Sequence, residues 1–137
     1  MSGAGFVLPP EKAAEIVTHS REDAPRECCG LLAGAAGRPE RLFRLHNLAP
    51  GNELYEIDPR QLLELEFRTL PAEGWEVVAI YHSHPHSPAW PSSTDVALAA
   101  WPDAASLLCS LQARERPVIR AFAIRDGAVE ELAIAAG

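Results

Sequence analysis

An apolar run that passes directly into a cluster of histidines restricts most strongly how this chain can fold. The run WEVVAI (75–80) has the composition of a buried strand, and YHSHPHSPAWPSSTD (81–95) follows it without a break. Three of the chain's five histidines lie in this segment: His82, His84 and His86. Residues two apart in an extended chain point to the same side of a sheet, so His82 and His84 project together. The sequence therefore predicts a strand whose end carries a pair of imidazoles.

Two imidazoles on one face suit two ligands of a single metal ion. Catalytic zinc usually has three protein ligands and one open position, so a third ligand is needed. Asp95, eleven residues after His84, is the first carboxylate that follows, and three prolines in the connection stiffen it. The stretch Ser92 to Asp95 is also a helix capping box, and a histidine at a strand end is often only a polar residue that meets water. Spacing alone leaves these interpretations open.

The rest of the chain predicts a mixed α/β domain. Strands are predicted at 6–9, 29–35, 41–47, 75–84, 106–112, 118–126 and 129–135, with an extended segment at 54–58. Helices are predicted at 10–21, 59–70 and 92–101, the first two opening on prolines and the third ending before Pro102. Asp126-Gly127 is a strong hairpin signal. We expect one domain over residues 1–137, a mixed β-sheet flanked by helices.

Charge and cysteine content exclude several classes of protein. The net charge of −7 argues against a nucleic-acid backbone or an anionic membrane as the main partner. No apolar run approaches the roughly 20 residues that cross a bilayer, and the N-terminus lacks the regions of a signal peptide. Three cysteines, two of them adjacent (Cys28 and Cys29), do not make a disulfide framework. Reduced thiols in a cytoplasmic protein are the better interpretation.

Three separated segments together resemble the JAMM motif of the MPN-domain metallopeptidases. Glu27 stands in PRECCGLLAG (25–34), before a Gly-Leu-Leu strand; His82-Ser83-His84-Pro85 matches His-x-His-Pro; and Ser92-Ser93-Thr94-Asp95 matches Ser-x-x-Asp. Seven residues separate the second histidine from the serine, as in the family pattern. The match covers residues 27 to 95, and the order of strands and helices also fits. The resemblance implies a layered α/β fold similar to that of cytidine deaminases.

The resemblance also implies roles for five residues. His82, His84 and Asp95 would bind one zinc ion, with a water in the fourth position; Glu27 would be the general base, and Ser92 would donate a hydrogen bond to the tetrahedral oxyanion. The implied reaction is hydrolysis of a peptide or isopeptide bond. The chain is most similar to the short prokaryotic branch, which cleaves after the C-terminal Gly-Gly tail of ubiquitin-like and sulfur-carrier proteins. An α-peptide, an isopeptide and an amino-acid adduct all remain open as the bond that is cut.

Two other classes of protein are alternatives to a metallopeptidase. A non-catalytic MPN scaffold would have lost its ligands, whereas all five positions are intact here. A zinc deaminase needs His-x-Glu and Pro-Cys-x-x-Cys, and the chain has no Cys-x-x-Cys. His86 matches no ligand of the family and is expected to face solvent. Cys28 and Cys29 are expected to pack at the strand start, with a thiolate that competes for the metal as the alternative.

Overall fold

The computed structural model describes residues 5–52 and 54–137. The predicted domain also includes residues 1–4 and 53, which lie outside the described residues. The strands are β1 (Gly5–Val7), β2 (Cys29–Gly34), β3 (Arg41–Leu45), β4 (Glu76–His84), β5 (Ala105–Ser110), β6 (Val118–Arg125) and β7 (Ala128–Ala135). The helices are α1 (Pro10–Asp23), α2 (Pro59–Glu64), α3 (Leu70–Glu73) and α4 (Ser93–Ala97), with a π-helical segment (Leu65–Thr69) between α2 and α3.

The seven strands form one mixed sheet in the order β1-β7-β6-β5-β4-β2-β3. β1 and β7 run parallel, as do β4 and β5, and the other neighbouring pairs are antiparallel. The predicted mixed sheet with flanking helices is thus confirmed. The Asp126-Gly127 turn joins β6 to β7 as expected, with positive φ angles of 51° and 80° at its two residues.

The two faces of the sheet are covered by different helices. On one face α1 buries Ile16 completely in a cluster with Tyr81 and Leu107. On the other face Leu65 of the π-helical segment and Leu70 of α3 pack with residues of β2 and β4. Because side chains alternate along a strand, Tyr81 faces α1, and its neighbours His82 and Ile80 face the second layer. The predicted layered architecture is therefore present.

The second helix continues past the predicted end at Leu70. Pro71 follows directly, and a proline inside a helix lacks an N–H donor and clashes with the carbonyl four residues earlier. In the structure Leu65–Thr69 widens into a π-helical segment, in which the N–H of Leu70 bonds to the carbonyl of Leu65. The wider turn accommodates the proline, and the chain stays helical to Glu73 before Gly74 ends it with a φ of 71°.

The predicted helix 92–101 is shorter than expected. Only Ser93–Ala97 is helical, and Leu98 ends the segment with its side chain 64% exposed. Trp101 instead packs against the apolar cluster beneath α2 and α3, so the chain leaves the helix to reach it. The extended segment at 54–58 forms a single bridge, between Ile57 and Asn47. No helix in the described part of the chain combines the length and apolar character that a membrane crossing requires.

Candidate metal centre and catalytic site

His82 and His84 lie on the same face of β4, at its C-terminal end. Both are buried, with exposures of 5% and 4%, and their ring centroids are 5.1 Å apart. The Nδ1 of His84 lies 2.8 Å from the carbonyl oxygen of Pro88. A carbonyl can only accept, so Nδ1 carries a proton and donates it, and Nε2 is left to face the site. The paired orientation predicted from the strand period is what the fold produces.

Asp95 reaches both imidazoles from the first turn of α4. Its Oδ1 lies 3.2 Å from Nε2 of His82 and its Oδ2 lies 3.0 Å from Nε2 of His84. The capping box is also present: the N–H of Ser92 donates to Oδ2 at 2.9 Å, and the N–H of Asp95 donates to the Ser92 hydroxyl at 3.0 Å. The two interpretations of Ser92–Asp95 are therefore compatible, since one carboxylate caps the helix and contacts both histidines.

Burial and pairing act in opposite directions on these three groups. Burial disfavours the charged form and lowers the pKa of His82. Burial also opposes charge on His84, but hydrogen bonds to Asp95 and to the Pro88 carbonyl outweigh it and raise the pKa of that imidazole. For Asp95 burial is again outweighed, because the two imidazoles stabilise the carboxylate and hold its pKa well below the usual range.

Glu27 arrives at the same site although it is 55 residues from His82 in sequence. β2 runs antiparallel to β4 with Cys29 opposite His82, so the residues just before β2 lie beside the end of β4. The Cys28 N–H donates to the Ser83 hydroxyl at 2.8 Å, and the Ser83 N–H donates to the Cys28 carbonyl at 3.1 Å. Glu27 is 6% exposed, and its carboxylate lies with ring nitrogens of His82 and His84 in a group whose atoms are all within 4.8 Å.

The side chains present fit a zinc ion. Nε2 of His82 is buried and makes no aligned hydrogen bond among residues 5–52 and 54–137, although Asp95 is close. Imidazole nitrogen and carboxylate oxygen are both ordinary zinc donors. Donor atoms bonded to a tetrahedral zinc at about 2.0–2.1 Å lie roughly 3.3 Å apart. The observed spacings of 3.0 and 3.2 Å between Asp95 and the imidazoles are close to that value.

The remaining residues singled out from the sequence take different positions. Ser92 is exposed at the start of α4, and because its oxygen accepts the capping bond, its hydroxyl proton is still available to donate. His86 is exposed and is not one of the three residues in the metal-binding group found among the described residues. Cys28 and Cys29 are fully buried, and burial raises their thiol pKa values to about 11 and about 12. Packing, rather than competition for a metal, is the interpretation that this burial favours.

Two neighbours of this site, Tyr55 and Asn47, were not predicted from the sequence. The ring of Tyr55 stacks on His82, with centroids 4.3 Å apart and an angle of 25° between the ring planes. The side chain of Asn47 donates to the backbone carbonyl of Glu27 at 2.8 Å. Both residues belong to the loop between β3 and α2, where neither composition nor periodicity distinguishes them. A cavity of about 700 Å³ has Glu27 and Asn47 in its wall, and its lining among the described residues includes none of Tyr55, His82, His84 and Asp95.

Comparison with known proteins identifies relatives of this chain. A profile of prokaryotic homologs of the JAB domain matches residues 9–125. The chain is 41% identical over 128 residues to a CysO-cysteine peptidase of Mycobacterium bovis, covering 92% of this chain and 87% of the relative. It is 33% identical to a desampylase of Haloferax volcanii (83% and 86% covered) and 38% identical to a probable TtuB-protein conjugate cleaving protease of Thermus thermophilus (72% and 66% covered).

Solved structures show the same fold. A protein from Desulfitobacterium hafniense superposes with a TM-score of 0.83 at 34% identity, covering 95% of this chain and 91% of that chain. A JAB1/MPN domain protein from Archaeoglobus fulgidus superposes with a TM-score of 0.59 at 19% identity, with 89% and 92% covered. The arrangement of strands that brings the four side chains together is thus found in other proteins.

Proposed function

This chain belongs to the family of prokaryotic homologs of the JAB domain, and from that premise we propose that it is a zinc-dependent peptidase. Its substrate would be a ubiquitin-like or sulfur-carrier protein, cut after the C-terminal Gly-Gly tail. The observation that carries the proposal is the convergence of Glu27, His82, His84 and Asp95 at the end of β4. Relatives named as peptidases and conjugate-cleaving proteases support hydrolysis as the reaction.

We assign His82, His84 and Asp95 as the ligands of one zinc ion per chain. Asp95 is assigned as a ligand because its oxygens lie 3.2 Å and 3.0 Å from the Nε2 atoms of His82 and His84. When bound, the ion would lower the pKa of a water to about 7 and polarise the scissile carbonyl. The hydrogen bond from His84 Nδ1 to the Pro88 carbonyl would keep that ring oriented for its ligand role.

Glu27 is assigned as the general base and acid. Its carboxylate would take a proton from the attacking water and deliver it to the leaving amine. The Ser92 hydroxyl would donate to the oxyanion that develops on the scissile carbonyl, an interaction worth roughly 3–4 kcal/mol for a good single donor.

The names of two relatives indicate two kinds of leaving group. One relative is named for a cysteine adduct and another for a protein conjugate, so both a small amino acid and a folded protein are candidates. We propose the cytoplasm as the compartment, since Cys28, Cys29 and Cys109 are free thiols. The negative charge of the chain supports a protein partner rather than a nucleic acid or a membrane.

Metal analysis and a cleavage assay test the proposal together. Purified protein should contain close to one zinc per chain, and His82→Ala and Asp95→Ala should lose most of it. Mass spectrometry should show a ubiquitin-like protein extended past Gly-Gly trimmed at that position. His86→Ala serves as the matched control, since this exposed histidine is outside the metal-binding group. Equal cutting of unrelated unfolded peptides would overturn the tail specificity, and unchanged zinc in either ligand variant would remove that residue from the ligand set.

A further inference from the structure

The side chain of Asn47 uses every hydrogen-bonding position that an amide offers. Its Nδ2 donates to the carbonyl of Glu27 at 2.8 Å and to that of Leu54 at 3.0 Å. Its Oδ1 accepts from the N–H of Ala49 and from the N–H of Glu56, both at 2.9 Å. An asparagine amide has two donor hydrogens and two acceptor lone pairs, so the group is fully satisfied. Because two of the partners are carbonyls and two are N–H groups, they also establish which atom of the Asn47 amide is Nδ2 and which is Oδ1.

One of these four bonds, to the carbonyl of Glu27, joins the loop between β3 and α2 to the segment before β2, and the other three lie within the loop. Arg26, the residue before Glu27, adds two further bonds between these segments: its guanidinium donates to the carbonyl of Asn47 at 3.0 Å and to that of Ala49 at 2.5 Å. Within the loop, the Leu48 N–H donates to the Glu56 carbonyl at 2.8 Å. The loop is therefore closed on itself and fastened to the backbone of the proposed catalytic base.

The same loop carries the ring that covers one proposed metal ligand. Tyr55 lies between Leu54 and Glu56, the two residues whose backbone groups Asn47 binds on this side of the loop. Its ring stacks on His82 at a centroid distance of 4.3 Å. Asn47 thus contacts the backbone on both sides of Tyr55 as well as that of Glu27.

We propose that Asn47 is a positioning residue, which sets the place of Glu27 and of the Tyr55 ring over His82 through one amide. The inference rests on the proposed function for its kinetic part only. A displaced base loses alignment with the water and the leaving amine, and a misplacement of about 1 Å can reduce the rate on the order of 100-fold. The groups that Asn47 binds have no assigned role in holding the Gly-Gly tail, so we expect the effect to lie in kcat.

Two substitutions separate the halves of the amide. Asn47→Ala removes all four bonds. Asn47→Asp keeps the two acceptor positions but places a carboxylate oxygen against the carbonyls of Glu27 and Leu54, where the amide had donated. Asn52→Ala is the matched control, because Asn52 is exposed in the same loop and forms no side-chain hydrogen bond among residues 5–52 and 54–137.

The kinetic experiment is a double-mutant cycle with zinc-loaded protein and a Gly-Gly-extended substrate. Asn47→Ala and Asn47→Asp should each retain zinc and lower kcat roughly 10- to 100-fold, with KM changed less than about threefold. In a Glu27→Gln background Asn47→Ala should lower single-turnover rates less than about threefold further, because the base is already gone. An equal loss in both backgrounds would make Asn47 merely structural and would overturn the proposal, as would an unchanged kcat in Asn47→Ala.

A readout without substrate keeps this inference separate from the proposed function. In Asn47→Ala the amide hydrogens of Ala49 and Glu56 should exchange faster with solvent, and the NMR signals of the His82 ring should shift as Tyr55 leaves it. Asn47→Asp should keep those two amides protected, and Asn52→Ala should leave all of these signals in place. If the wild-type protein cuts no Gly-Gly adduct, the proposed function is wrong, and the positioning role of Asn47 is then tested by the exchange and NMR signals alone. Unchanged His82 signals in Asn47→Ala would overturn that role.

Discussion

Replacing Ser83 with alanine should destabilise the protein and disturb the base at the same time. Ser83 lies between the two motif histidines and is fully buried, and its hydroxyl is the acceptor for the Cys28 N–H at 2.8 Å. Ser83→Ala removes the acceptor and leaves a buried backbone N–H without a partner. A buried donor left unsatisfied costs about 1–3 kcal/mol, more than the loss of the bond itself.

The magnitude can be measured by thermal and urea unfolding. For a chain of this length a loss of 1 kcal/mol in the free energy of unfolding lowers the Tm by about 3–4 °C, so the Tm of Ser83→Ala should fall by about 3–12 °C. The urea midpoint should fall with an unchanged slope, since the same surface is exposed on unfolding. Ser87→Ala is the control, because this serine has an exposed side chain four residues further along the same segment and should change stability by less than about 0.5 kcal/mol.

A free energy of unfolding for Ser83→Ala within about 0.5 kcal/mol of the wild-type value, the margin of neutral surface substitutions, would contradict this expectation. That result would mean that the Cys28 N–H finds another acceptor, so that the bond between β2 and β4 does not hold the segment before β2 in place. A second expectation follows from the position of Cys28 beside Glu27: kcat should fall while zinc content is retained. A stable variant with normal kcat would contradict both parts.

Three further predictions follow from the site and its surroundings. Glu27→Gln should retain zinc and fold while kcat falls by about 10²–10⁴, the usual contribution of a general acid–base group; zinc lost with activity would make Glu27 a ligand instead. Gly30→Ala should lose about 1–3 kcal/mol in urea unfolding, because a Cβ there would overlap the ring of the fully buried Tyr81; a neutral result would show that the ring can move aside. Burial raises the thiol pKa values of Cys28 to about 11 and of Cys29 to about 12, so both stay protonated at pH 8, and iodoacetamide should label the native protein slowly and all three cysteines only in urea; rapid labelling of the folded protein would contradict this.

The sequence could predict the local part of the site because local geometry determines it. The period of two along a strand puts His82 and His84 on one side, and the Ser-x-x-Asp pattern puts Asp95 in the first turn of a helix. Neither rule says how far Asp95 is from the histidines. That distance depends on the path of residues 85–91, which the family motif implies and which propensity does not predict.

The rest of the site depends on pairings between distant segments. Glu27 lies at the site because β2 pairs with β4 in a register that puts Cys29 opposite His82. The hydrophobic period and the amino-acid composition of a strand do not predict how it pairs with a strand about 55 residues away. Only the family resemblance therefore identified Glu27. Asn47 and Tyr55 were missed for a similar reason, since their loop is organised by side-chain bonds to backbone groups rather than by a repeating pattern. α4 is shorter than predicted, and Trp101 beyond its end is partly buried against the apolar cluster beneath α2 and α3, a tertiary contact that a helical pattern does not predict.

The shared use of Asp95 limits how this protein could be re-engineered. An attempt to change the metal preference, for example with Asp95→His to give three imidazoles, would also delete the acceptor that closes the first turn of α4 at the Ser92 N–H. Asp95→Glu would keep the capping box, in which glutamate is an ordinary partner. Its extra methylene would, however, move the carboxylate relative to both histidines. Metal chemistry and local folding therefore cannot be adjusted independently at this position, and a variant library would need to change residues 92 and 95 together.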